Sequence, residues 1–150
     1  MEKQHALQQL EQLQKKLYAI HYACSAMNLD ADTVAPKNTS EGRGVALGVL
    51  AGEEQQLMIC PETRALLDEL DRQKDELDLL HRREVEELRR RCDQLTRIPA
   101  EEYIAYSELV NKAGNVWHKA KEKDDFAMFC PLLQELVEYN RKFAAYYDST

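Results

Sequence analysis

Apolar residues recur at steps of three and four along most of the chain, and no stretch alternates as a strand would. The clearest case follows Ile98-Pro99. Tyr103, Tyr106, Val110, Ala113, Trp117 and Ala120 make one stripe of a helix about six turns long. The residue before a proline is held out of the α region, so Ile98 ends what precedes it. Pro99 then starts the helix without loss, because its missing N–H would have had no intrahelical partner. Glu101 and Glu102 suit the positive end of the helix, and Lys119, Lys121 and Lys123 suit the other. Asp124-Asp125 break the pattern, and Pro131 is predicted to open a second helix carrying Leu133, Leu136, Val137, Asn140, Phe143, Ala144 and Tyr147. So short a connection predicts an antiparallel pair.

Upstream, Ala6, Leu10, Leu13, Leu17, Ile20, Cys24 and Met27 step four, three, four, three, four, three. That narrow seam predicts a first helix from about Lys3 to Met27, a rod on the order of 38 Å long. Asn28 to Ser40 is dense in Asp, Asn, Thr, Ser and Pro and reads as a loop. Ser40 can cap a second helix from Glu41 to about Met58. Gly44, Gly48 and Gly52 share one face of it, an arrangement that admits a close neighbour at about 1 kcal/mol per glycine relative to alanine. Cys60-Pro61 restarts the chain, and Glu62 to Leu70 forms a short helix with Leu66, Leu67 and Leu70 inward. Asp71 to Asp75 is a charged break. From Lys74 to Arg97 a longer helix follows, with Leu77, Leu80, Val85, Leu88, Cys92 and Leu95 on one side. Glu86–Arg90 and Glu87–Arg91 have favourable i,i+4 order, and Arg89-Arg90-Arg91 reads as a solvated face. The fold class is therefore all-α: an antiparallel bundle of four long helices plus two or three short ones, in a single domain over 1–150.

Composition narrows the function classes. With 5 Gly and 4 Pro in 150 residues the chain lacks the turns of an all-β fold. A net charge of −7 disfavours a phosphate-binding surface, so no nucleic-acid partner is expected. No apolar run approaches the roughly 20 residues that span a membrane, and the first 16 residues have no apolar signal core. A cytoplasmic protein with no membrane partner is the expectation. Cys24, Cys60, Cys92 and Cys130 show no C-x-x-C spacing and read as buried, reduced thiols.

No chemistry announces itself. No two of His5, His21, His81 and His118 lie three to five residues apart, so a helical H-E-x-x-H zinc site is absent. His81 sits on the stripe between Leu77 and Val85 and reads as a buried, satisfied histidine. No G-x-S-x-G is present, and Asp30 and Asp32 read as loop-capping aspartates. Tyr139, Tyr146, Tyr147 and Phe143 read as core or interface. No catalytic, cofactor-binding or metal-binding residue is assigned.

Two stretches carry a resemblance. One is Ile98-Pro99, Trp117, the run Asp125-Phe126-Ala127-Met128-Phe129-Cys130-Pro131-Leu132-Leu133, and the helix from Val137 to Ala144. The other is Leu29-Asp30-Ala31-Asp32-Thr33-Val34-Ala35-Pro36 followed by Arg43. Both resemble the N-terminal helical region of the thermostable carboxypeptidases, family thirty-two of the metallopeptidases. That family has a Trp-Asp-x-x-Thr-x-Met-Pro stretch and then an arginine; here Leu29 and Ala35 replace the tryptophan and methionine. The resemblance implies zinc- or cobalt-dependent removal of single residues from peptide C-termini, with the metal held by H-E-x-x-H and a downstream glutamate. Those ligands lie beyond the matched stretch, so no cofactor is expected in this chain. The resemblance implies that these helices wall and cover a substrate groove, and that Asp30, Thr33, Pro36 and Arg43 form a groove-lining loop. The partner would be the remainder of a carboxypeptidase, as for a truncated product or a designed fragment, with peptide substrate only in that context. The alternative is a stand-alone interaction module, a homodimer through the seam of the first helix. Exposed apolar surface is expected along Leu10–Leu17 or the Gly44–Gly52 face.

Overall fold

The computed structural model describes residues 3–36 and 38–147. Its elements are α1 (Lys3–Thr33), α2 (Ser40–Ile59), α3 (Pro61–Arg72), a short 3-10 turn (Lys74–Glu76), α4 (Leu79–Thr96), α5 (Ala100–Glu122) and α6 (Phe126–Tyr147). There is no strand among the described residues, and the all-α class stands. Five helices rather than four reach 18 residues. No helix among them is long and apolar enough to cross a membrane. The chain divides into two compact units: Met1–Tyr22 with Glu54–Arg97, and Ala23–Glu53 with Ile98–Thr150.

In the first unit Ala6, Leu10, Leu13 and Leu17 are buried, as are Met58, Leu66, Leu67, Leu70, Val85, Cys92 and Leu95. The α1 seam is thus consumed inside the chain and is not left bare. Pro61 occupies the first turn of α3, and the Thr63 hydroxyl donates to Leu57 O at 2.8 Å, closing the joint with α2. α3 and α4 run antiparallel, since Arg64 reaches Thr96 at one end while Asp68 pairs with Arg89 further along. The Asp68 hydrogen bond holds the Arg89 guanidinium above its ordinary pKa.

The start of α4 differs from expectation. Asp78 caps it, accepting from His81 N at 3.0 Å, so the helix begins four to five residues later than the apolar pattern suggested. Leu77 stays buried in extended backbone, but Leu79 and Leu80 turn outward. His81 is therefore no core histidine: its Nδ1 lies 2.7 Å from Asp78 Oδ2 at a half-exposed helix start. Both bonds, the backbone one first, hold the Asp78 carboxyl below the usual range. The expected i,i+4 pairs are replaced by i,i+3 pairs, Arg83–Glu86 and Arg90–Glu87.

Arg91 turns partly in from the solvated face and pairs with Glu54, which is 7% exposed. His21 Nε2 lies 2.9 Å from the same Glu54 oxygen, so one cluster ties α1, α2 and α4. Glu54 favours the imidazolium, yet burial and then the adjacent Arg91 outweigh it and push the His21 pKa down. The unfolded chain therefore binds the extra proton first. Stability is full above about pH 6.5 and declines as pH falls below that value, until the lowered folded pKa is passed. Urea denaturation between pH 8 and 5 checks this: His21→Gln is expected to flatten that part of the profile.

In the second unit α5 has two partners, which is why a single stripe misplaced its faces. Leu109 and Ala113 pack on Leu132 of α6, with Val116, Phe129, Leu136 and Tyr139 around them. Val110 and Trp117 of the predicted stripe are exposed. Glu102 at the start of α5 meets Lys142 (2.8 Å) and Tyr146 near the end of α6, and Tyr106 meets Phe143 edge-on, so the pair is antiparallel as predicted. The Lys142 hydrogen bond holds the Glu102 carboxyl below its ordinary range. Between the helices Asp124 takes a left-handed conformation (φ 52°), with Asp125 N donating to Ala120 O and Asp124 N to Lys121 O. That double closure ends α5 without a glycine. Asp125 Oδ1 then accepts from Met128 N, starting α6 at Phe126, so Pro131 lies inside the helix and does not open it. Of the four cysteines, all expected to be buried, Cys92 is, Cys24 and Cys60 are half-buried, and Cys130 is exposed. Burial pushes the Cys24 thiol up.

Candidate functional site

The first six residues of the stretch read as a loop from Asn28 to Ser40 are helix, because α1 continues to Thr33. Its last turn satisfies itself: the Thr33 hydroxyl donates to Leu29 O (2.6 Å), and Val34 N and Ala35 N both donate to Asp30 O (3.0 and 2.8 Å). Polar residues there compete for backbone partners from within the helix end, which mimics loop composition. The Thr39 hydroxyl donates to Pro36 O at 2.8 Å, and α2 begins at Ser40 itself, so Ser40 lies inside the helix it was expected to cap.

Arg43, on the first turn of α2, is fastened to α5. Its Nε donates to Asn111 Oδ1 (3.2 Å) and its Nη2 to Asn115 Oδ1 (2.8 Å). Asn111 Nδ2 donates in turn to Ser40 O at 3.1 Å, and Asn115 Nδ2 to Asn111 O at 2.7 Å. Two of its five N–H donors, along the Nε and Nη2 edge, are thus spent on amides, and the outer Nη1/Nη2 end of the guanidinium remains. The glycine face explains itself here. A Cβ on Gly44 would stand 2.9 Å from Asn111 Nδ2, and one on Gly48 2.9 Å from Glu108 Cγ. The close neighbour is a set of α5 side chains lying on bare α2 backbone, and the face is covered.

These elements enclose an open cleft of about 250 Å³. Thr33, Pro36 and Arg43 line it, together with Asp32, Asn115, His118, Lys119 and Glu122; Asp30 does not, its carbonyl being turned into the helix end. Asp32 Oδ1 and His118 Nε2 meet at 3.2 Å, both about half exposed. Two cations, Arg43 and Lys119, face two carboxylates, so the cleft carries no net sign to attract a simple ion. Asn111, Asn115 and Lys119 were missed in the sequence. Their signal was a second helical phase, Ile104, Glu108, Asn111 and Asn115, running opposite the apolar stripe.

The histidines stay apart: His5 meets Gln9, His21 meets Glu54, His81 meets Asp78 and His118 meets Asp32. Among the described residues no three His, Cys, Asp or Glu side chains converge as metal ligands. A zinc ion needs three or four such groups at once, so the residues present do not fit one.

The family model described as carboxypeptidase Taq (M32) metallopeptidase matches residues 9–150. The chain belongs to that family. Among carboxypeptidase Taq relatives, carboxypeptidase 1 of Bacillus subtilis (strain 168) is 34% identical over 129 residues, 85% of this chain and 26% of the relative. Thermostable carboxypeptidase 1 of Pyrococcus furiosus is 29% identical over 132 residues, 88% of this chain and 26% of the relative. The BsuCP crystal structure superposes with a TM-score of 0.91 at 31% identity, covering 95% of this chain and 29% of that one. Trypanosoma cruzi metallocarboxypeptidase 1 gives 0.70 at 30% identity, covering 95% of this chain and 28% of that one. The chain therefore spans about a quarter of its curated carboxypeptidase Taq relatives, and the part matched is their N-terminal helical region.

Proposed function

We propose that this chain is the groove-walling helical part of a zinc-dependent carboxypeptidase that removes single residues from peptide C-termini. The metal and its general base come from the portion of the family chain it does not contain. What carries the reading is the near-complete superposition on a minor share of a family structure, joined to the absence of H-E-x-x-H from the sequence. In this reading Thr33, Pro36 and Arg43 border the path of the peptide, and Asn111 and Asn115 hold the Arg43 guanidinium in place beside it. The cytoplasm is the proposed compartment, in keeping with four free thiols, one of them exposed.

The test replaces the matched quarter of Bacillus subtilis carboxypeptidase 1 with this chain. The joined protein is expected to trim a blocked peptide from its C-terminus, while the 150 residues alone release nothing and retain no stoichiometric zinc after dialysis. Trimming by the unaided chain, or a folded joined protein with no activity, would overturn the proposal.

A further inference from the structure

The α5–α6 hairpin has one side that is apolar along most of its length. Asn140 Nδ2 lies 3.3 Å from Tyr106 OH, which fixes that side on both helices. Val110, Gly114 and Trp117 follow Tyr106 at four, eight and eleven residues, and Val137 and Leu133 precede Asn140 by three and seven. On antiparallel helices those spacings keep all five on the side where Tyr106 and Asn140 meet. Val110, Trp117, Leu133 and Val137 are 46%, 42%, 37% and 40% exposed, and a Cβ on Gly114 would meet nothing within 4 Å. The Glu102–Lys142 ion pair between the two helices involves none of these positions. At one end of the strip the Lys121 ammonium stands 5.1 Å from the Trp117 ring, and the His118 ring lies edge-on to it at 4.8 Å.

A strip of this kind, with the chain's single tryptophan near its end, suits an apolar protein surface and neither an ion nor a nucleic acid. The family supplies an occupant of the required kind, since roughly three quarters of each curated relative lies outside the match. We infer that Val110, Gly114, Trp117, Leu133 and Val137 form the seat on which the remaining, catalytic portion of a carboxypeptidase chain packs. This inference rests on the proposed function and adds to it the surface through which the two portions meet.

The experiment uses the joined protein described above and the 150-residue chain, with hydroxyl-radical footprinting read peptide by peptide. Trp117 oxidation is expected to fall several-fold in the joined protein relative to the chain alone, while Tyr22, exposed in the first unit, keeps its rate. Trp117→Glu is expected to lower the melting temperature of the joined protein and to leave that of the chain alone nearly unchanged. An active joined protein with Trp117 still fully reactive overturns this inference and leaves the proposed function standing. A folded but inactive one overturns both. Concentration-dependent protection of Trp117 in the chain alone, with a dimer in sedimentation, assigns the strip to a second copy and also overturns it.

Discussion

Arg91→Met lowers stability by about 2–3 kcal/mol near pH 7.5, and acidification recovers part of the loss. Glu54 is nearly buried, and Arg91 is its cationic partner from α4. Breaking a buried pair on one side strands a charge, at a cost of about 3–5 kcal/mol in fully buried cases. The loss here is smaller because the Arg91 side chain is 33% exposed and His21 remains 2.9 Å from the carboxylate. Adding Glu54→Leu to the same chain removes the stranded charge and should bring stability back toward the wild-type value. Urea denaturation of the two variants checks this at pH 7.5 and again near pH 5. A single variant as stable as wild type, or a double variant no better than the single, would show that the cluster carries little.

Leu70→Ala costs about 3–4 kcal/mol, whereas Leu80→Ala changes stability by no more than about 0.5 kcal/mol. Leu70 is 0% exposed, so its loss opens a cavity among Leu66, Leu67 and their neighbours. Leu80 is 67% exposed beside the Asp78 cap and has nothing to vacate. Set against a total of about 5–15 kcal/mol for a domain, the first change removes a large share of stability and the second is hardly measurable. Thermal and urea unfolding of the two variants side by side separates these outcomes, and equal losses would contradict the placement of the α4 start.

Those two leucines show what the pattern could and could not carry. Leu66, Leu67 and Leu70 lie on a short helix with one buried face, and periodicity alone places them inward. Leu80 belongs to a longer apolar run in which Asp78, a capping residue, sits one turn after the expected start. The cap prevailed because its side chain satisfies an amide that would otherwise lack a partner. The same logic moved the start of α6 to Phe126 through Asp125, and left Pro131 within the helix. On α5 the difficulty was of another kind. A helix with neighbours on two sides has two inward phases, and the polar one, with Glu108, Asn111 and Asn115, does not register as hydrophobic periodicity. Arg91 escaped for a related reason: its partner Glu54 is 37 residues away in sequence, and nothing local marks either as buried.

The candidate cleft was legible in part. The Asp30 to Pro36 stretch and Arg43 stood out because their order resembles a family motif, and three of the four line the cleft. That Arg43 would be occupied by two asparagine amides was invisible, since pairing over 68 and 72 residues is a property of the folded chain.

Neither compact unit is a continuous stretch, and this bears on how the protein emerges from the ribosome. Everything the first unit needs has been made once Arg97 is complete, but residues 23–53 belong with a partner beginning at Ile98. The 25 residues from Ile98 to Glu122, where α5 ends, take about 1–5 s at 5–20 residues per second. Throughout that interval the glycine-lined side of α2 has no α5 to cover it, and its low intrinsic helicity leaves it open to chaperones and proteases on the nascent chain.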